Sequence, residues 1–388
     1  MSHRHTGPAG IAGVAGLLAV LGTAAVALLL GGSSTAVTAP APSPVPGAPH
    51  GTSEANGAVV YGRYAPHSST FVAGLTIAGA AGGPQRVVSA RAVCCTSIGG
   101  HTILFTQRTR HGSRDLLLAS QTDGTVLRPL TLRGMELGPG VLSADGSRIA
   151  VWARQRADPH RGAVEVHAGG RWYRIGRFTA REMRPLAFSP VGSWVLVFRP
   201  TTDRGFGEVG VLDIGSARYH RLTPRGMGSW CCFFGSPASW SPDGRVAFAA
   251  FQHVPQGDAF TDGQSAVFVT QRGTEGVRRV TDWGQWTTSA HWSPDSRLLA
   301  YDTANERGGA HDLFVIDPDG GSPSLVPTPN DGGSCCAVWT PNGKALVYES
   351  GSDDAHMDLW AANLDGSGTF RLTSGNARDL AYAITPWP

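Results

Sequence analysis

The six cysteines of the chain form three adjacent pairs, Cys94-Cys95, Cys231-Cys232 and Cys335-Cys336. An even number of cysteines indicates disulfides if the chain is exported. Each pair lies shortly before a copy of the repeat described below, and no two of these copies are neighbours. A disulfide needs Cα atoms within about 7 Å of each other. We therefore expect a bond inside each pair, with bonds between pairs, free thiols or a soft-metal site as alternatives.

A bond inside a pair requires a distorted backbone, because adjacent residues of a regular strand point to opposite faces. The chain has no Cys-x-x-Cys spacing, which argues against a zinc site. We predict no metal centre and no cofactor.

A second group of candidate residues lies in long, irregular loops that carry aromatic and charged side chains. Loops displayed on a rigid scaffold are where binding usually takes place. Trp230, Trp283 and Trp286 stand outside the Trp position of the repeat, and they are candidates for a surface that stacks on a sugar, a peptide or a protein partner. The histidines at positions 253, 291 and 356 are interpreted as loop or packing residues in preference to ligands. The predicted binding residues are Trp230, Phe233, Phe234, Trp283, Trp286, His253, His356 and Arg307.

Catalytic motifs are missing from the sequence. There is no Gly-x-Ser-x-Gly, no Gly-x4-Gly-Lys-Ser/Thr and no His-Glu-x-x-His, so a fused esterase or peptidase of the familiar kind, a P-loop enzyme and a zincin are excluded. The acids Asp317, Asp319, Asp353 and Asp354 are interpreted as solvated turn residues, with calcium ligation as the alternative. We expect a non-enzymatic protein. The alternative is a lyase or hydrolase that uses acids and His of the same loops, which a buried His or carboxylate with paired neighbours would favour.

The elements that must position these residues are short repeated strands. One repeated element is an aromatic or aliphatic residue, Ser/Thr-Pro/Ala-Asp/Asn-Gly/Ser and a hydrophobic strand. Pro, Asp/Asn and Gly are the residues that a tight turn between two strands requires. Successive copies are 44 to 52 residues apart, a spacing typical of propeller blades. Its copies begin at Ile98 (worn), Leu142, Phe188, Trp240, Trp292 and Trp339.

A second repeated element is a short strand, often opened by an acid and closed by Asp-Gly. Seven copies of this element lie near Phe71, Leu116, Val164, Val209, Val267, Leu313 and Leu359. The seventh copy of the first element is supplied by the chain end, because Ala383-Ile-Thr-Pro-Trp387 matches the first strand of the repeat. We therefore predict an all-β, seven-bladed β-propeller, with six blades as the alternative, closed by residues 381–386 pairing beside Ala58–Tyr61. Closure removes exposed strand edges.

Trp240-Ser-Pro-Asp-Gly244, Asp312-Leu-Phe-Val-Ile-Asp-Pro-Asp-Gly320 and Arg371-Leu-Thr373 resemble the repeat of TolB-type propellers. The resemblance covers roughly residues 57–388 and implies the propeller fold. It implies no single function, because the same repeat occurs in peptidase propellers and binding scaffolds. We expect no counterpart of the N-terminal α/β domain of TolB in this sequence, because only a low-complexity segment precedes the first repeat.

The N-terminal segment carries the features of an export signal. Residues 1–9 are predicted to stay cytoplasmic, and residues 10–32 to form one apolar helix, either a signal anchor or a cleaved signal peptide. Residues 33–56, rich in Pro, Ala and Ser, are predicted to be a tether, and residues 57–388 the propeller. The chain is thus expected to be exported, and either anchored in the membrane or secreted.

Composition agrees with this interpretation and narrows the function. Charged residues make up 16% of the chain, and Gly (52) and Pro (26) are abundant, which suits short strands and tight turns. The net charge is only +3, and no run of arginines suggests nucleic-acid binding. We expect a monomeric binding scaffold for an envelope or extracellular protein, a peptide or a glycan. A third possibility is an accessory factor in envelope assembly with a stable protein partner.

Overall fold

The structure, a computed structural model, describes residues 43–44, 53–65, 71–108, 114–120, 124–179, 182–202, 205–231, 236–253, 264–272, 274–304, 311–329, 333–353, 356–375 and 378–385. These residues form strands, turns and loops. No helix among them is long and apolar enough to cross a membrane. The apolar segment predicted at residues 10–32 lies outside the described residues.

The described strands form six hydrogen-bonded sheets, one of which has nine strands. We divide that sheet into two antiparallel groups and number all the groups as sheets 1 to 7. Sheet 1 contains β2 (Ala58–Tyr64), β3 (Phe71–Gly79), β4 (Gln85–Ser89) and β31 (Arg378–Thr385). Sheet 2 contains β5 (Ala92–Gly99), β6 (Thr102–Arg108), β7 (Arg114–Ser120) and β8 (Val126–Leu130). Sheet 3 contains β9 (Met135–Leu142), β10 (Arg148–Gln155), β11 (Gly162–Ala168) and β12 (Arg171–Thr179).

Two sheets carry an additional short strand. Sheet 4 contains β13 (Arg184–Phe188), β14 (Trp194–Pro200), β15 (Phe206–Asp213), β16 (Tyr219–Arg221) and β17 (Ser229–Trp230). Sheet 5 contains β18 (Ala238–Trp240), β19 (Val246–Phe251), β20 (Gln264–Arg272), β21 (Glu275–Arg279) and β22 (Gly284–Gln285). In both, the additional strand pairs with the start of the third strand, beyond the end of the fourth.

The last two groups complete the series. Sheet 6 contains β23 (Ala290–Trp292), β24 (Leu299–Ala304), β25 (His311–Ile316) and β26 (Ser324–Leu325). Sheet 7 contains β27 (Ser334–Trp339), β28 (Ala345–Asp353), β29 (His356–Asn363) and β30 (Thr369–Arg371), and β1 (Ser43–Pro44) pairs with β30. One parallel pair, Met357 with Arg378, links sheet 7 to sheet 1.

The repeated turns adopt the conformation that their residues predict. In the turn after β9, the Ser143 hydroxyl donates to Asp145 (2.5 Å) and accepts the backbone N–H of Arg148 (2.9 Å). Gly146 has φ +73°, a left-handed conformation that side chains disfavour. The same pattern recurs in the turns that follow β18, β23 and β27.

The core is divided among the spaces between successive sheets. Buried apolar side chains fill each of these spaces, and one cluster, with Val59, Tyr61, Val347 and Leu359, lies between sheet 7 and sheet 1. The first strand of each sheet also contacts the first strand of the next, and β31 contacts both β27 and β5. The β31 strand pairs antiparallel with β2, with Ala58 opposite Thr385 and Val60 opposite Ala383.

Residues 53–56, which composition assigns to the tether, pack on sheet 7. The backbone N–H of Glu54 donates to Asn363 Oδ1 (2.8 Å), and Lys344 Nζ lies 3.2 Å from a carboxylate oxygen of Glu54. Asn56 Oδ1 accepts the backbone N–H of Asn342 (2.9 Å), and Ala55 is buried in the cluster between sheets 7 and 1. The folded unit therefore includes these four residues.

A chain that begins at Gly57 is accordingly expected to be less stable than one that begins at Ser53. Loss of the buried Ala55 and of the hydrogen bonds of Glu54 and Asn56 should cost about 1–3 kcal/mol. Urea unfolding of the two chains measures the difference. Equal midpoints and equal slopes would show that residues 53–56 add nothing to the fold.

Candidate functional site

The two ends of each sheet differ, because the strands run in an antiparallel meander. The tight turns between first and second strands, and between third and fourth strands, lie at one end, which we call the turn end. The connections between second and third strands, and those between sheets, lie at the opposite end, which we call the loop end. The five predicted binding residues that the structure describes belong to the loop end; they are Trp230, His253, Trp283, Trp286 and His356.

Two of the predicted tryptophans meet at the loop end. The rings of Trp230 and Trp286 are 6.3 Å apart, and Trp286 lies 5.0 Å from Phe251, which is itself 5.4 Å from Phe206; all three pairs are edge-to-face. Phe206 and Phe251 are buried, whereas Trp230 and Trp286 are half-buried. Their side chains therefore rest on an apolar base and keep part of their surface in solvent. We call these four residues the aromatic cluster.

The backbone holds this arrangement at a cost. Trp286 has φ +33°, which is an unfavourable conformation for a bulky residue and is found most often at functional sites. Trp230 is held by β17, whose pairing places it opposite Phe206. The positions of both tryptophans are thus fixed by the additional strands that follow sheets 4 and 5.

The third predicted tryptophan, Trp283, lines a cavity of about 360 Å³ between sheets 5 and 6. Its ring packs 5.9 Å from Phe268, and the Arg279 guanidinium lies over it at 5.0 Å. Burial raises the pKa of Tyr301 in the cavity wall to about 12, so its phenol is a neutral hydrogen-bond donor at neutral pH. The other lining residues are Val280, Thr281, Asp282, Gly284, Thr287, Thr303, Ile316, Gly321 and Pro323.

Two further predicted binding residues, His253 and His356, lie at the loop end and are not members of the four-residue aromatic cluster. His253 is exposed just after β19, and His356 begins β29 in sheet 7, far along the chain from the aromatic cluster. Phe233, Phe234 and Arg307 lie outside the described residues. The predicted sites at those three positions stay predictions.

The third cysteine pair is found in a distorted strand. Cys335 and Cys336 are joined by a disulfide, with both residues buried in β27. The pairing of β27 with β28 shifts register between Cys335 and Val338, and Cys336 has φ +64°. The β5 strand, which contains Cys94 and Cys95, also shifts register against β6 at this place, whereas the side chains of those two residues lie outside the described part. Cys231 is buried and Cys232 lies outside the described residues.

A buried carboxylate lies at the loop end of sheet 6. Asp302 is 1% exposed and accepts hydrogen bonds from the Thr288 hydroxyl (2.9 Å), the Ser289 backbone N–H (3.1 Å) and the Ser289 hydroxyl. His311 Nδ1 lies 3.4 Å from its second oxygen. Burial alone would raise the pKa of Asp302, but His311 and the two hydroxyls outweigh burial and lower it. Burial lowers the pKa of the neighbouring His291.

This group of Ser, His and Asp does not have the order of a catalytic triad. In a triad the His stands between Ser and Asp, so that it can take the Ser proton. Here Asp302 stands between Ser289 and His311, and the Ser289 hydroxyl donates to the carboxylate. The arrangement satisfies a buried charge and links the segment before β23 to β24 and β25, which is a positioning role.

A second buried carboxylate, Glu349, stands opposite Cys335 in the β27–β28 register. It is 2% exposed; one oxygen accepts the backbone N–H of Ala381 (3.1 Å), and the other, Oε2, has no hydrogen-bond partner. Burial raises the pKa of Glu349 to about 8, against the opposing effect of the Arg378 charge. A carboxyl group in this setting is protonated at neutral pH.

Sequence reasoning missed both carboxylates and the apolar base under the tryptophans. A signal was present: Asp302 and Glu349 each follow the tyrosine that ends a hydrophobic second strand, Leu298-Leu-Ala-Tyr301 and Ala345-Leu-Val-Tyr348. An acid in that position is rarely left unpaired. Phe206 and Phe251 could not be recognised in this way, because the sequence around them is that of an ordinary hydrophobic strand.

No family model matches the chain, and no curated protein matches it. Solved structures do. A prolyl endopeptidase aligns at 11% identity over 90% of this chain and 51% of its own, with a TM-score of 0.57. The β-propeller domain of the Trilobed protease from Pyrococcus furiosus aligns at 11% identity over 73% of this chain and 83% of that domain, with a TM-score of 0.53.

The fold is a β-propeller. Identities this low show the fold alone, so the propeller inherits no activity from these proteins. TolB from Acinetobacter baumannii is also similar, at 15% identity over 84% of this chain and 67% of that one, but its TM-score of 0.47 carries no argument. The all-β propeller expected from the repeats is confirmed, whereas the resemblance of the repeat to that of TolB stays a prediction.

Proposed function

We propose that this chain is an exported, non-enzymatic binding propeller that holds a glycan, a peptide or a protein segment at its loop end. The observation that carries the proposal is the aromatic cluster, with two half-buried tryptophans on a buried base, close in sequence to the cavity lined by Trp283. Half-buried aromatic rings offer stacking area at low entropic cost, and about 300–1,000 Å³ is the usual size of a ligand pocket.

The chemistry of the cavity fits a polar ligand with flat apolar faces. Trp283 offers a face, while the Tyr301 phenol and the hydroxyls of Thr287 and Thr303 offer hydrogen bonds. Asp282 adds an exposed charge at the rim. Sugars and extended peptides both combine apolar faces with hydrogen-bonding groups at this spacing, so the proposal covers both.

We infer that seven sheets form the blades of one closed ring. The contacts between first strands run from β5 through β9, β13, β18, β23 and β27 to β31, which contacts β5 again. The apolar cluster between sheets 7 and 1 and the β31–β2 pairing support the same arrangement. A ring of this kind keeps the loops of sheets 4, 5 and 6 at fixed positions beside one another.

The same proposal has four further parts: export, membrane attachment by residues 10–32, a monomeric state, and an envelope or extracellular partner. They rest on the N-terminal sequence and on the cysteine pairs. The alternative, a lyase or hydrolase, is supported by the presence of buried carboxylates with paired neighbours. Both oxygens of Asp302, however, already accept hydrogen bonds or an ion pair from Thr288, Ser289 and His311. The binding function is therefore preferred.

The test is a binding screen of the full chain against a glycan array and a displayed peptide library, followed by substitution. Trp286→Ala and Trp283→Ala are each expected to weaken the selected ligand at least tenfold, about 1.4 kcal/mol. Tyr173→Ala is the matched control, since Tyr173 is a 53% exposed aromatic residue of sheet 3 and should leave binding unchanged. Ligands bound equally well by all three variants would place the site elsewhere.

A further inference from the structure

The three donor groups at the start of sheet 7 have no role in the proposed binding site. The two sulfur atoms of Cys335 and Cys336 and a carboxylate oxygen of Glu349 all lie within 4.8 Å of one another, and the three residues are buried. Met357, which is also buried, belongs to the same apolar cluster as the two cysteines. The thioether of Met357 is a further soft donor.

The position of these groups follows from the strand register. Cys335 and Glu349 are direct partners across β27 and β28, and the register shift after Cys335 turns Cys336 toward the same place instead of the opposite face. The distorted backbone that accommodates the disulfide thus also gathers both sulfur atoms beside one carboxyl group.

The carboxyl group points to a ligand that the disulfide form does not hold. Glu349 Oε2 is buried and has no hydrogen-bond partner, and a buried polar atom of this kind is unfavourable unless another state of the site uses it. The positive charge of Arg378 acts on this carboxyl group, so a net negative metal complex here would be partly compensated.

We propose that Cys335, Cys336 and Glu349 form a soft-metal site that opens when the disulfide is reduced and takes a thiophilic divalent cation such as Zn²⁺. Thiolates bind such cations at about 2.3 Å and carboxylate oxygens at about 2.0–2.2 Å. In the oxidised form both sulfur atoms are committed to each other, and the site is closed. The redox state of one bond therefore controls the metal affinity of the blade.

The chemistry balances in two steps. A phosphine attacks one sulfur and the other leaves as a thiolate; water then supplies the oxygen of the phosphine oxide, and its two protons complete the two thiols. The cation afterwards displaces three protons, two from the thiols and one from the Glu349 carboxyl group. The complex of two thiolates, one carboxylate and a divalent cation carries one negative charge.

The experiment titrates Co²⁺, a spectroscopic substitute for Zn²⁺, into the full chain before and after phosphine reduction, and follows the sulfur-to-cobalt charge-transfer absorption. The reduced chain is expected to show the absorption and the oxidised chain to lack it. A chain with serine at positions 94, 95, 231 and 232 should retain it, and C335S/C336S should lose it. Glu349→Gln should weaken Co²⁺ binding at least tenfold while both thiols remain, as measured by a thiol reagent.

Several outcomes would overturn the proposal. These are absorption of equal strength in the oxidised chain, no absorption after reduction, absorption that survives C335S/C336S, or unchanged affinity in Glu349→Gln. The last variant keeps the test decisive if C335S/C336S does not fold, since it leaves both cysteines in place. The effect of the tryptophan variants on glycan or peptide binding tests the proposed function. It does not test the proposed metal site.

Discussion

Removal of residues 378–388 is expected to abolish the stable fold. This change deletes β31, which pairs with β2 from Ala58 to Tyr64 and contacts the first strands of sheets 7 and 2. It also removes Asp379, a 1% exposed carboxylate that holds Arg63 through two hydrogen bonds of 2.7 and 2.6 Å. The loss should exceed about 5 kcal/mol, a large share of the stability of a typical domain.

Circular dichroism and chemical unfolding of the truncated chain measure this effect. Removal of residues 386–388 alone is the control, because it spares β31, and this chain should unfold at the midpoint of the parent. Asp379→Ala isolates the buried ion pair and should cost less than the deletion of the whole strand, about 3–5 kcal/mol. A truncated chain with unchanged cooperative unfolding would contradict the closed ring.

Asp302→Ala is expected to be the most destabilising single substitution in sheet 6. It leaves the hydroxyls of Thr288 and Ser289, one backbone N–H and His311 without their buried acceptor. The expected cost is about 3–5 kcal/mol at pH 7. Asp312→Ala is the matched control, because Asp312 is the exposed neighbour of His311, and it should lie within about 0.5 kcal/mol of the parent.

The pH dependence of folding stability separates the contribution of the negative charge of Asp302 from that of its size and shape. The pKa of Asp302 is lowered in the folded state, so the folded chain binds fewer protons than the unfolded one, and stability is lost as the pH falls through and below about 4. Asp302→Asn should therefore remove part of the acid destabilisation that the parent shows. Identical acid unfolding of parent and Asp302→Asn would mean that the carboxylate contributes no net charge stabilisation.

The repeats made the strands predictable because each turn needs particular residues. Asp145 and Gly146 satisfy conformational requirements of the turn that few other residue types meet. Each copy of this residue pattern in the sequence therefore marks one hairpin. The β31–β2 pairing was accessible for the same reason, as the sequence near Ala383 matches a first strand that the chain start lacks. The extent of β31 was less accessible, and it begins at Arg378 instead of residue 381.

The site was only partly predictable, since its geometry depends on contacts between distant segments. The tryptophans stood out by lying outside the repeat pattern, yet their base of Phe206 and Phe251 comes from two different sheets. Glu349 lies within a strand pattern and did not stand out in the sequence. Its proximity to Cys336 depends on a register shift that cannot be recognised from residue types. The contacts of Ala55 and Glu54 with sheet 7 were not predictable, because they are made by a few specific groups that composition does not reveal.

The pairing of β31 with β2 has a consequence for how the chain is made. Its partners are more than 300 residues apart, so the ribosome must finish nearly the whole chain before the first sheet can be completed. Until then β2 presents an open edge, and the growing chain lacks its final native state. A polypeptide that must be threaded through a translocation channel benefits from such a delay, because a chain that has not yet folded can still pass through. For the export that we propose, this order of synthesis would keep the chain incompletely folded until β31 is available to pair with β2.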